Sequence, residues 1–329
     1  MTNVPEHPAS VDGIRWVVPT VKDARRIADL YEAWAQASRL TWRESEEEIR
    51  HDMDAPTTDL DDYRCAEDGE GRFVASVIAW IQGVPGWKHR AFLFTASRPG
   101  YGHVETLGVQ WGEARARNVF AAADDDMERV IRVFSDMRDA SRIGRFEAEG
   151  YRKARYFVDM VRPLDQPIPQ VAVPVGVEIV DWSEEWITPT WETHCEAFAD
   201  HWGSLPPSPE DWQHRFERPN FRPDLSAVAV ADGKAVSYAL NGVFPQDWAT
   251  RGRKEGWIET LGTRRAWRRQ GLASALITES MRRFGDDGLD HAALNVDGAN
   301  PTGAFGVYER LGFTVVDRTV ELIKNVAPG

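Results

Sequence analysis

The chain reads as one fold written twice. Gly13-Ile14-Arg15-Trp16 opens a strand-then-helix segment, and Gly176-Val177-Glu178-Ile179 opens another 163 residues later. Glu149-Gly150-Tyr151 matches Leu311-Gly312-Phe313 at an offset of 162. Between them, Gly100-Tyr101-Gly102 corresponds to Gly271-Leu272-Ala273 at an offset of 171, which a longer loop near 245–256 in the second copy accounts for. A chain of 329 residues is comfortable for two domains of ordinary size. Arg162 to Val175 holds Pro163, Pro167, Pro169 and Pro174 and lacks helical or alternating pattern, so it reads as a semi-extended linker. The expected division is 1–161, a linker at 162–175, and 176–329.

The second copy carries the most informative stretch. Trp257-Ile258-Glu259-Thr260-Leu261-Gly262-Thr263 reads as a short strand, and Arg268-Arg269-Gln270-Gly271-Leu272-Ala273 as a basic glycine turn that opens a helix. The first N–H groups of a helix point outward unpaired, so such a turn can hold a phosphate. Gly271 permits close backbone approach, and Arg264, Arg265, Arg268 and Arg269 gather positive charge in a chain whose net charge is −13. Taken alone, the turn reads more readily as a solvated basic loop before an ordinary amphipathic helix. The apolar residues Leu272, Leu276, Ile277 and Phe284 keep helical spacing, and His291 to Val296 reads as a buried strand closed by Asp297-Gly298. Asn300-Pro301 then caps a helix expected to run to Arg310 and stop at Gly312. Asn300, Ala304 and Tyr308, four residues apart, share one face of it.

The pattern R-x-x-G-x-A at Arg268 to Ala273, with N-x-x-x-A-x-x-x-Y-x-x-x-G-F from Asn300 to Phe313, resembles the acyl-CoA site of the GNAT superfamily of N-acetyltransferases. The resemblance implies an α/β fold of two tandem GNAT domains, each a mostly antiparallel mixed sheet flanked by helices, in an arrangement similar to that of mycothiol synthase. It implies acetyl-CoA as co-substrate, no metal, and direct transfer to a primary amine of a small molecule in the C-terminal copy. A peptide amine is the other acceptor, and a non-catalytic acyl-CoA-binding or sequestration module is the alternative outside enzymes. The cofactor residues carried over are Leu261, Gly262, Thr263, Arg268, Arg269, Gln270, Gly271, Leu272, Ala273, Ser274, Asn300 and Ala304. In the family the strand before the turn bulges and frees backbone groups, which places the oxyanion donor at the Leu261 N–H. Tyr308 is the expected general acid toward the leaving thiolate. Glu259 is the expected base, and strand alternation would put it on one face with Leu261 and Thr263. The acceptor pocket is expected at Asp200, His201 and Trp202, where polar and aromatic residues meet at a chain turn.

The first copy departs from this pattern. Ser97 stands where the leading Arg or Gln belongs, Phe146 stands at the tyrosine position, and Arg142 replaces the small residue corresponding to Ala304. It reads as a degenerate, structural copy, with a weaker second acyl-CoA site as the rival, since Gly100 and Gly102 are kept. Two cysteines, Cys65 and Cys195, fit a reducing cytoplasm better than a disulfide framework. The acidic balance argues against a nucleic-acid partner, and no apolar run has the length to span a membrane. Self-association is left open by the sequence.

Overall fold

The computed structural model describes residues 4–83, 89–123, 125–199, 206–298 and 304–327. The chain forms two compact units, Met1–Tyr156 with Thr319–Gly329, and Phe157–Arg318.

The first unit holds β1 (Arg15–Val17), α1 (Ala24–Ser38), α2 (Glu46–Met53), β2 (Tyr63–Glu67), β3 (Phe73–Gly83), β4 (His89–Ser97), α3 (Gly102–Ala121), β5 (Arg129–Asp136) and α4 (Ala140–Ala148). β6 (Arg152–Pro163) starts in this unit and ends in the second. The second unit holds β7 (Glu178–Asp181), α5 (Ile187–Phe198), α6 (Pro209–His214), β8 (Ala227–Ala231), β9 (Lys234–Val243), α7 (Trp248–Arg251), β10 (Glu255–Thr263), α8 (Leu272–Asp286), β11 (His291–Asp297) and α9 (Ala304–Arg310). β12 (Thr314–Val326) starts there and finishes in the first.

The strands of the two units repeat one pattern. β1, β2, β3 and β4 are successively antiparallel, and β5 joins β4 in parallel after the α3 crossover. β7, β8, β9 and β10 are likewise antiparallel, and β11 joins β10 in parallel after α8. A parallel neighbour needs such a crossover, because a tight turn reverses the strand. Each set of strands is then extended by a strand from the other sequence repeat. Residues 319–326 of β12 pair antiparallel with β5, and residues 157–163 of β6 pair antiparallel with β11. Alternation explains the fit: Val320 and Leu322 enter the core of the first unit, while Val158 and Met160 enter that of the second. Sequence repeat and spatial unit therefore part company at their last strand. The proline-bearing stretch 162–175 packs Leu164, Ile168 and Val171 onto the second core, and Leu164 N donates to Asp290 O at 2.9 Å.

Helix α8 forms where the apolar spacing places it, and Leu272, Leu276, Ile277 and Phe284 are all buried against β8 to β11. Burying four such side chains contributes on the order of 6–12 kcal/mol before conformational entropy is charged against it. The loop between β9 and β10 is the longer of the two equivalents and carries α7, whereas β3 and β4 are joined across 84–88. No described helix is long and apolar enough to cross a membrane.

Candidate active site

Strand β10 is where the second sheet departs from regularity. It pairs with β9 from Gly256↔Val243 to Thr263↔Ser237, but the register slips between Ile258 and Thr260, so Glu259 is the extra residue of a bulge. On its other side β10 follows β11 only to Ile258↔Leu294. β11 continues along β6 to Asp297↔Phe157, so the parallel strands separate beyond that pair. Among the described residues, the edge of 260–263 facing β11 has no ladder partner. Backbone N–H and C=O groups on such an edge are left to side chains, water or a ligand, and an extended amide-bearing arm matches them.

The bulge corrects one expectation. Glu259, Leu261 and Thr263 do not share a face, because the extra residue resets the alternation. Leu261 packs against the apolar cluster that holds Leu272 and Leu276 of α8, and Thr263 Oγ1 lies 2.8 Å from Ser237 Oγ. Glu259 and Thr260 both turn to Arg215, which follows α6: its guanidinium donates to Thr260 Oγ1 at 2.6 Å and stands 4.0 Å from Glu259 Oε2. Burial pulls the Arg215 guanidinium below its ordinary pKa, and the Glu259 charge opposes that shift. The Glu259 side chain is one-fifth exposed and lies over Gly242. Any Cβ at residue 242 would collide with the Glu259 carboxylate, so a glycine there makes its room. Arg215 and Gly242 carry no motif signal; only the fold brings them to Glu259.

The basic turn is less uniformly positive than its sequence suggests. Arg264 is held by Glu196 at 2.9 Å, by Glu192 at 3.4 Å and by the Ala235 carbonyl at 2.9 Å. Arg268 donates to the carbonyls of Thr263 at 3.3 Å and Ala197 at 2.8 Å, so it braces the turn against α5. Gln270 folds back onto the Ala266 carbonyl at 2.9 Å. Arg269 is exposed, with a left-handed φ of 61°. Gly271 follows at φ 89°, where an L side chain is strained, and serves as the N-cap of α8. No side chain caps that helix, and its first turn holds no acidic residue. The N–H groups of Leu272, Ala273 and Ser274 therefore start a helix with uncompensated positive potential, suited to a phosphate.

Tyr308 lies on α9, half-buried against the second core, with its ring 6.2 Å from that of Phe313. Burial pushes its phenol up to about 12, so it is a neutral proton donor throughout the physiological range. Asp200, His201, Trp202 and Asn300 lie outside the described residues, and the Ala304 side chain is not described. Among the described residues there is no group of His, Cys, Asp and Glu that could hold a metal ion.

A mixed sheet parted at a bulged strand, with an uncapped helix start beside it, defines the class: an N-acetyltransferase on the GNAT fold. A profile of the Acetyltransferase (GNAT) family matches residues 184–313. A mycothiol acetyltransferase of Thermobispora bispora is 30% identical over 210 residues, which cover 62% of this chain and 68% of that protein. The chain spans little more than half the length of other mycothiol acetyltransferases that it matches at similar identity. The solved GCN5-related N-acetyltransferase from Sphaerobacter thermophilus is 26% identical, covers 98% of each chain and superposes with a TM-score of 0.72. A tandem GNAT protein from the clavulanic acid biosynthesis pathway shares the fold at a TM-score of 0.64 and 16% identity, over 96% of this chain and 99% of that one. The chain belongs to the acetyltransferase (GNAT) family.

Proposed function

We propose that the second unit transfers an acetyl group from acetyl-CoA to a primary amine of a small molecule. The uncapped start of α8 beside the parted β10–β11 edge carries this reading: one end suits a pyrophosphate, the other an extended pantetheine arm. Leu272, Ala273 and Ser274 would meet the phosphates through N–H groups, with Arg269 adding charge. Leu261 N–H would face the thioester oxygen and stabilise the oxyanion. Glu259, directly or through a water, takes a proton from the attacking ammonium. The nitrogen then bonds to the carbonyl carbon, the carbon–sulfur bond breaks, Tyr308 supplies a proton to the departing thiolate, and the second proton shed by the nitrogen returns through water to restore the phenol. The name shared by the relatives supports an acceptor of the mycothiol kind. Purified protein given acetyl-CoA and a panel of small amines, aminosugar conjugates among them, should release one thiol per acetylated amine. Acetyl-CoA binding with no thiol release from any amine would favour a sequestration module instead.

A further inference from the structure

The first unit repeats the architecture of the proposed site but not its open space. β4 and β5 part after Phe92↔Arg132, just as β10 and β11 part after Ile258↔Leu294. Thr95 stands three residues beyond that last pair, the same distance as Leu261 in the second unit. In the first unit this edge is taken. Arg142, on α4 at the position corresponding to Ala304, donates to the Thr95 carbonyl at 2.6 Å and to Thr95 Oγ1 at 2.8 Å. Its guanidinium is held by the Trp34 ring at 4.7 Å and the Phe146 ring at 5.1 Å, and the residue is only 3% exposed.

The start of α3 differs from that of α8 in charge: no side chain caps either helix, but α3 carries an acid in its first turn. Glu105, in the first turn of α3, forms a buried ion pair with Arg142 and accepts from Thr95 Oγ1 at 2.9 Å and Ser97 Oγ at 3.0 Å. Arg145 reaches the same carboxylate at 2.9 Å, and its guanidinium lies over Gly102, where a Cβ would come within 2.8 Å of it. A carboxylate near a helix N-terminus supplies the negative charge that a phosphate would otherwise bring. The pairing of β3 with β4 runs unbroken from Ala75↔Ser97 to Gly83↔His89, so the bulge is missing too.

We infer that the cofactor cleft of the first unit is filled by its own side chains, with Glu105 standing where a phosphate would sit and Arg142 where an acyl-bearing arm would run. The chain then binds a single acyl-CoA, in the second unit. This rests on the reading that the parted strands of this fold receive acyl-CoA. An acyl-CoA entering the first unit would have to break a buried ion pair and set its phosphates against a carboxylate.

Calorimetric titration of the full chain with acetyl-CoA should give one equivalent; two equivalents overturn the inference. Hydrogen exchange locates the site: added acetyl-CoA should protect amides over 255–286 and leave 89–121 unchanged, and protection over 89–121 overturns it. Ser274→Asp places a carboxylate in the first turn of α8, as Glu105 does in α3, at a position where helices favour acids. It should fold normally and weaken binding on the order of a hundredfold. Undiminished binding of one equivalent by that variant would also overturn the inference. Wild-type protein that binds no acetyl-CoA refutes the proposed function but leaves the first unit closed, so the two readings fail separately.

Discussion

Glu105→Gln is the most demanding test of how the first unit is held together. The side chains of Glu105 and Arg142 are 2% and 4% exposed, so neither has water to fall back on. Glutamine preserves the shape but keeps one acceptor oxygen, for Thr95 or Ser97 and not both, and it leaves the Arg142 guanidinium as an uncompensated buried charge. Breaking a buried pair in this way costs about 3–5 kcal/mol, and a unit of this size should lose about 6–20 °C of melting temperature. Removing both charges together, in Glu105→Leu with Arg142→Met, should cost less than the single change, because no buried charge is stranded and only the polar groups of Thr95 and Ser97 lose partners. Burial pushes the Glu105 carboxyl up, but Arg142 and Arg145 pull harder and hold it below the ordinary carboxylate range. Its stabilising contribution is therefore complete above the unfolded pKa of about 4.3 and is lost as pH falls through the lower folded value. Wild type should show this loss below about pH 4 and Glu105→Gln should not. Urea unfolding of the full chain, followed by the tryptophans of the first unit, measures both effects. A cost under about 1 kcal/mol for Glu105→Gln, or a double variant as unstable as the single one, would refute the account.

Other changes address the second unit. Tyr308→Phe should lower kcat by about a hundredfold with little change in KM, and a full-rate variant would remove Tyr308 from the acid role. Because burial raises that phenol to about 12, the wild-type rate should show no alkaline fall from this residue below about pH 10, readable from a pH–kcat profile. Glu259→Gln should cost about a hundredfold in kcat/KM, and Gly242→Ala, which displaces the same carboxylate, should reproduce the loss with the circular dichroism spectrum unchanged. Gly256→Ala drives a Cβ to 2.5 Å from the Phe284 ring and should destabilise the second unit by about 1–3 kcal/mol in denaturant titration. Burial raises the pKa of both thiols, so a disulfide reagent should modify native Cys195 slowly and reach Cys65 only after unfolding.

How much of this was legible in the sequence depended on the range of the interaction involved. Helix α8 and strand β11 could be read directly, since Leu272, Leu276, Ile277 and Phe284 repeat with helical spacing and the run after His291 is short and apolar. The failed symmetry of the first copy was also visible, because Arg142 and Phe146 stand where an alanine and a tyrosine stand in the second. Long-range partners were not visible. Glu105 lies 37 residues from Arg142, and no local pattern announces that they meet, so the sequence showed a crowded channel without the ion pair that fills it. The exchange of closing strands was hidden for a similar reason: β6 and β12 have equivalent alternation, and nothing local says which sheet each will join. The bulge at Glu259 is the clearest case. Strict alternation gives Glu259, Leu261 and Thr263 one face, and a single extra residue separates the carboxylate from the other two. That separation makes chemical sense for a transferase. A carboxylate on the side of Arg215 and Leu261 against the α8 cluster leave the backbone of one strand between two different environments. Deleting Glu259 would remove the bulge together with the carboxylate, and Thr260 would then follow Ile258 in regular alternation.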